Sequence, residues 1–111
     1  MSDELKTIKE KATQVLVKYP VTYAGVFGSF ARGEENKDSD VDMVIRLAPE
    51  HTFSLFDLVG LQSELAENIG HKVDLFTEKG IDKYIRKYVT RDVYPIYSLL
   101  NTTARKRGDG G

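Results

Sequence analysis

The sequence contains no cysteine. That excludes disulfides and thiolate metal sites, and it fits a reducing compartment. It has no long apolar run: nothing in it approaches the ~20 residues of a membrane-spanning helix. Met1-Ser2-Asp3-Glu4 is acidic and leads into no apolar stretch, unlike a signal peptide. Charge of either sign is not in excess. A net charge of −1 argues against direct nucleic-acid binding as the main task, because such proteins are clearly basic. These absences lead to the expectation of a soluble, cytoplasmic chain with no membrane partner.

What is present suits one domain. A chain of 111 residues can bury one modest core. Its 41% hydrophobic content lies in the globular range, so most of the chain is expected to fold. Residues 1–100 read as a single domain and residues 101–111 as a polar, Gly-rich, flexible tail.

Hydrophobic periodicity predicts a helix over residues 2–18, with Leu5, Ile8, Ala12, Val15 and Leu16 on one face and Pro20 ending it. β-Branched and aromatic residues predict a strand over 22–27. Residues 41–47 alternate, with Val41, Met43, Ile45 and Leu47 on one face and Asp42, Val44 and Arg46 on the other. A long helix is expected over 52–69, with Leu55, Leu58, Val59, Leu61, Leu65, Ala66 and Ile69 turned inward and Gly70 at its end. A third strand is expected at 72–76. A last amphipathic helix spans about 81–92, with Ile81, Tyr84, Ile85, Tyr88 and Val89 inward and Lys83, Arg86, Lys87 and Arg91 outward. Pro95 interrupts regular structure beyond that helix, although residues 93–97 are apolar enough to pack. Alternating helices and strands predict an α/β domain with one small sheet; strand order does not follow from pattern.

The chemistry concentrates in residues 26–42, VFGSFARGEENKDSDVD. Asp40 and Asp42 are two apart, so in extended chain they share a face at ~6.6 Å separation. Carboxylates so placed can reach one divalent cation or bridge two. Alone, such a pair is commonly a solvated loop end. Asp74, flanked by Val73 and Leu75 inside a strand, is less ordinary, because a buried unpaired charge is costly. If its strand neighbours the Val41 strand, the three carboxylates converge. The Gly28-Ser29 turn adds backbone N–H groups at a helix start, which attract phosphate; the Ser29 hydroxyl and Arg32 can add donors.

Other motifs fail. The Gly28-to-Gly33 spacing suits a phosphate loop, but Glu34-Glu35 stands where Lys and Ser/Thr are required. The run from Asp38 starts like a calcium loop, yet its sixth position is Met43 and its twelfth Pro49. Ser29 has no paired histidine for a hydrolytic triad. His51 and His71 stand singly near helix ends, as surface or capping residues do.

Taken together, Gly28-Ser29-Phe30-Ala31-Arg32-Gly33, Ser39-Asp40-Val41-Asp42 and the strand-borne Asp74 resemble the polymerase-beta-like nucleotidyltransferase superfamily, whose pattern is GSxARG, a short loop, SDxD and a third Asp. The size resembles its minimal nucleotidyltransferase (MNT) branch, antitoxins paired with HEPN toxins. The resemblance covers about residues 20–97. It implies a mixed sheet flanked by helices. It also implies two Mg²⁺ ions held by Asp40 and Asp42, and a third carboxylate, Asp74, that binds one metal and helps deprotonate the attacking hydroxyl. Gly28 and Ser29 would hold nucleotide phosphates, and Arg32 would either touch phosphate or brace the loop. The implied reaction moves AMP from ATP to a hydroxyl, chiefly a tyrosine of a HEPN toxin. Two other readings stand beside it: a non-catalytic antitoxin that binds a HEPN ribonuclease, and an aminoglycoside-type nucleotidyltransferase. The latter usually carries an extra helical domain, for which there is no room. Homo-oligomerisation stays open.

Overall fold

The computed structural model describes residues 3–34, 40–49, 52–81 and 83–99. Ser39, His51, residues 101–111 and the side chains of Lys83, Tyr84, Ile85 and Tyr88, for which roles or faces were expected, lie outside the described residues.

Helix α1 (Asp3–Leu16) leads into strand β1 (Val21–Phe27), a four-residue helix α2 (Ser29–Arg32) and strand β2 (Val41–Leu47). Helix α3 (Leu55–Ile69), strand β3 (Val73–Thr77), a single 3₁₀ turn (Glu78–Gly80), helix α4 (Lys83–Asp92) and strand β4 (Tyr94–Ser98) follow among the described residues. The four strands form one mixed sheet in the order β3-β2-β1-β4. β1 runs antiparallel to both β2 and β4, while β2 and β3 are parallel and joined through α3, the crossover that parallel strands need. The expected α/β class and mixed sheet flanked by helices are present.

α3 starts later than its periodicity suggests because Ser54 caps it. The Ser54 hydroxyl accepts from Asp57 N–H at 3.2 Å, and Asp57 Oδ2 accepts from Ser54 N–H at 2.8 Å. This reciprocal box satisfies donors that a helix start leaves orphaned. The 93–97 segment, expected only to pack, is a true edge strand. Pro95 is tolerated there because an edge position can lack one N–H.

The sheet has two covered faces. On one, Leu5, Ile8, Ala12, Val15 and Leu16 of α1 and Leu61, Leu65 and Ile69 of α3 pack on Val41, Met43, Ile45, Val73 and Leu75. On the other, a smaller cluster joins Phe27 and Val44 to Ile81, with Tyr23, Phe76, Val89 and Val93 against it. A Cβ on Gly25 would lie 2.4 Å from Val93 Cγ2, so the end of α4 crosses β1 where the strand lacks a side chain. The inward face read for α3 needs correction. Leu61, Leu65 and Ile69 are buried, but Leu55 and Val59 point to solvent at 74% and 53% exposure. Helical spacing gave α3 a broader apolar arc than the sheet can cover.

Candidate active site

The strand register gathers the polar residues. Phe27, the last residue of β1, pairs with Asp42 of β2, and Asp42 pairs with Asp74 of β3. Adjacent strands lie about 4.8 Å apart, so Asp42 and Asp74 are immediate neighbours across a parallel ladder. Both alternate with core residues (Val41 and Met43; Val73 and Leu75), which aims them at the face opposite α1 and α3. Both are half-buried. Since Phe27 ends in the same row, the Gly28-Ser29 turn opens at the same end of the sheet.

That turn has the backbone its glycine permits. Gly28 adopts φ 79°, ψ −151°, outside the regions open to most L-residues. A Cβ there would sit 2.4 Å from Asp42 Oδ2. The missing side chain therefore lets the turn approach the carboxylate. Phe30 of α2 is fully buried, and the His71 ring meets it edge-on at 5.2 Å, which fixes the short helix from below. His71 also lies 3.4 Å from Glu4, so it serves packing and a surface pair.

Asp40 immediately precedes β2, and its Oδ2 is 3.9 Å from Lys72 Nζ. The Val41 N–H donates to the Lys72 carbonyl at 2.8 Å, which ties this end of β2 to the approach of β3. Burial pushes the Asp42 carboxyl up to about 6, and the negative charges of Asp74 and Asp40 add to it; Arg32 opposes the rise. The three aspartates thus act on one another. Among the described residues, however, no three acidic or histidine side chains form a ready metal shell. Without a cation, mutual repulsion opposes closer approach.

Arg32 is already engaged. Its Nε donates to Glu34 at 2.9 Å and its Nη1 to Asp92 at 3.2 Å. It braces the turn after α2 against the end of α4 while its charge still reaches Asp42. Sequence reading missed Asp92 in this role, and it missed Gln62. Gln62 Oε1 accepts the Leu75 N–H at 2.9 Å, next to Asp74, so a side chain of α3 satisfies an outward donor of the edge strand. Neither residue carries a local sequence signal, because each contact joins elements distant in the chain.

A half-buried carboxylate pair, a third acid acting on it and a glycine-serine turn thus present oxygen ligands and backbone donors at one end of the sheet. The model of the nucleotidyltransferase domain matches residues 8–94, and the chain belongs to that family of enzymes. It falls among the minimal nucleotidyltransferases: a candidate member of known structure is 31% identical, with a TM-score of 0.68, covering 82% of this chain and 91% of the other. The chain is also similar to a candidate protein adenylyltransferase of Methanocaldococcus jannaschii, 33% identical over 83% of this chain and 97% of that one. The fold is shared with an MNT antitoxin in complex with tri-AMPylated HEPN toxin of Shewanella oneidensis, at TM-score 0.66 and 15% identity, covering 93% of this chain and 87% of that one.

No helix among the described residues is long and apolar enough to cross a membrane.

Proposed function

We propose that this nucleotidyltransferase moves AMP from ATP to a tyrosine hydroxyl of a partner HEPN toxin, and so acts as an antitoxin by AMPylation. The observation that carries the reading is the register Phe27–Asp42–Asp74, which sets two carboxylates beside the Gly28-Ser29 turn. Support for the acceptor comes from the adenylyltransferase relative and from the AMPylated toxin held by a protein of the same fold.

The donor set fits magnesium. Asp40, Asp42 and Asp74 offer hard oxygen ligands, and a cation among them would offset both the burial and the carboxylate repulsion that raise Asp42. When bound, two such ions would neutralise phosphate charge and polarise the reacting oxygens. Gly28 and Ser29 would hold the nucleotide phosphates through backbone N–H groups of the turn that packs against Asp42. Asp74 lies beside Asp42, where it can take the proton of the incoming hydroxyl. That hydroxyl forms its bond to the α-phosphorus as the bond to pyrophosphate breaks, so positioning and charge neutralisation do most of the work. Arg32 acts as a brace, holding the turn through Glu34 and Asp92.

The test is the intact mass of a partner HEPN toxin after incubation with this chain, ATP and Mg²⁺. AMP-sized additions on tyrosine, absent with Asp40→Asn, are expected. A toxin that stays unmodified yet is inhibited equally by the Asp40→Asn protein would make the chain a binding antitoxin instead.

A further inference from the structure

Lys72 stands at the aspartate end of the sheet with a fixed root and a free head. Its carbonyl accepts the Val41 N–H at 2.8 Å. The ring of the preceding residue, His71, meets buried Phe30 edge-on at 5.2 Å. One residue earlier, Gly70 closes α3 in the left-handed conformation. β2, α2 and α3 thus hold the backbone that carries Lys72. Its side chain is 75% exposed, and its ion-pair partner among the described residues is Asp40, at 3.9 Å. An exposed pair at that distance contributes little and separates easily. Lys72 also precedes Asp74 by two residues, the spacing that puts side chains on one face of an extended chain. Arg32 is bound differently: Glu34 and Asp92 both hold it.

We propose that Lys72 is a catalytic residue that exchanges Asp40 for the α-phosphate of ATP when metal and nucleotide bind. The inference rests on the AMP-transfer reading above and adds the cation that meets the phosphate under attack. Charge calls for one. A nucleoside triphosphate and three aspartates carry more negative charge than two Mg²⁺ ions offset. Arg32 is committed to two carboxylates, whereas Lys72 is released as soon as Asp40 turns to a metal ion. Position selects the phosphate. The Gly28-Ser29 turn continues β1 on one side of Asp42, and Lys72 leads into β3 on the other. Phosphates held at the turn therefore lie across β2 from Lys72. The α-phosphate lies between the turn and the Asp74 side, where the hydroxyl arrives, within reach of a long side chain beside Asp40. There the ammonium donates to the oxygens over which charge spreads as the hydroxyl bonds to phosphorus and pyrophosphate leaves. Lysine suits the exchange, because a flexible point charge with three donors can turn from carboxylate to phosphate without a fixed fork geometry. Before nucleotide binds, the same ammonium offsets the charge of Asp40.

Calorimetry compares the wild-type chain with Lys72→Met and Lys72→Arg. Each is titrated with Mg²⁺ alone, with a non-hydrolysable ATP analogue in Mg²⁺ and with pyrophosphate in Mg²⁺, and melting curves run alongside. Lys72→Met should bind the analogue at least roughly tenfold more weakly. It should bind Mg²⁺ alone as tightly as the wild-type chain or more so, bind pyrophosphate equally, and melt within about a degree of it. Lys72→Arg should recover most of the lost affinity. Unchanged analogue binding by Lys72→Met overturns the exchange and leaves AMP transfer standing. Weaker binding of Mg²⁺ alone would make Lys72 a brace for Asp40, and an equal loss of pyrophosphate would place it on the leaving group; either overturns the proposal. A wild-type chain that binds the analogue equally with and without Mg²⁺ overturns the metal site itself.

Discussion

Asp42 Oδ2 occupies the space into which a side chain on Gly28 would project, with only 2.4 Å to the position of that missing Cβ. The turn and the carboxylate are thus built as one unit. Gly28→Ala combines two penalties: a positive φ that alanine resists and a collision with Asp42. It should lower the melting temperature by several degrees, reflecting roughly 1–3 kcal/mol. It should also remove nearly all transfer activity. A variant with wild-type activity in a toxin-modification assay would dissociate the turn from the site.

Asp42 links the site to stability through pH. Its carboxyl rises from the ordinary 3.8 to about 6 on folding, so the folded chain holds that proton more tightly than the unfolded one. Ionised Asp42 therefore destabilises the metal-free fold. The cost appears as pH rises from about 4 to about 6 and is complete above that. Asp42→Asn escapes it. After allowance for solvent screening, the gain is on the order of 1 kcal/mol, a few degrees of melting temperature at pH 7.5. The gap should close below pH ~4. Thermal melts in metal-free buffer across this range check it, and a variant that melts lower at pH 7.5 would make Asp42 a structural acceptor. Transfer should be lost in either case.

Gln62 ties down the strand residue that follows Asp74. Gln62→Leu leaves the Leu75 N–H without its acceptor, at a cost of about 1–3 kcal/mol. It should also loosen the edge strand that carries Asp74. Gln62→Glu keeps an acceptor oxygen and should restore most of the melting temperature. Equal melting of all three proteins would show that solvent satisfies this donor unaided.

The parts of the site that local chemistry dictates were legible in the sequence. Gly28 announces a tight turn because few other residues tolerate its backbone, and the alternation of Val41, Met43 and Ile45 around Asp42 assigns that aspartate to the face away from the core. The β2–β3 pairing was not legible. Nothing within residues 73–77 states that Asp74 lies beside Asp42 rather than at a distant edge; α3 decides that by packing across both strands. β4 was obscured by Pro95, whose meaning depends on whether the strand is central or at an edge. Leu55 and Val59 were misplaced because periodicity reports that a face is apolar, not what covers it. Gln62 and Asp92 act through contacts between distant segments, so their roles emerge only from the folded arrangement.

Asp40, Asp42 and Asp74 are proposed to form one metal-dependent nucleotide site, and the rest of the mechanism depends on it. Calorimetric titration of a non-hydrolysable ATP analogue, with Mg²⁺ and again with a chelator, decides whether they do. Binding by the wild-type chain should be at least roughly tenfold tighter with Mg²⁺, since phosphates and carboxylates complete the metal shell together. The metal effect should vanish in Asp42→Asn. Equal affinity of the wild-type chain with and without Mg²⁺ would contradict a metal site built from these three carboxylates.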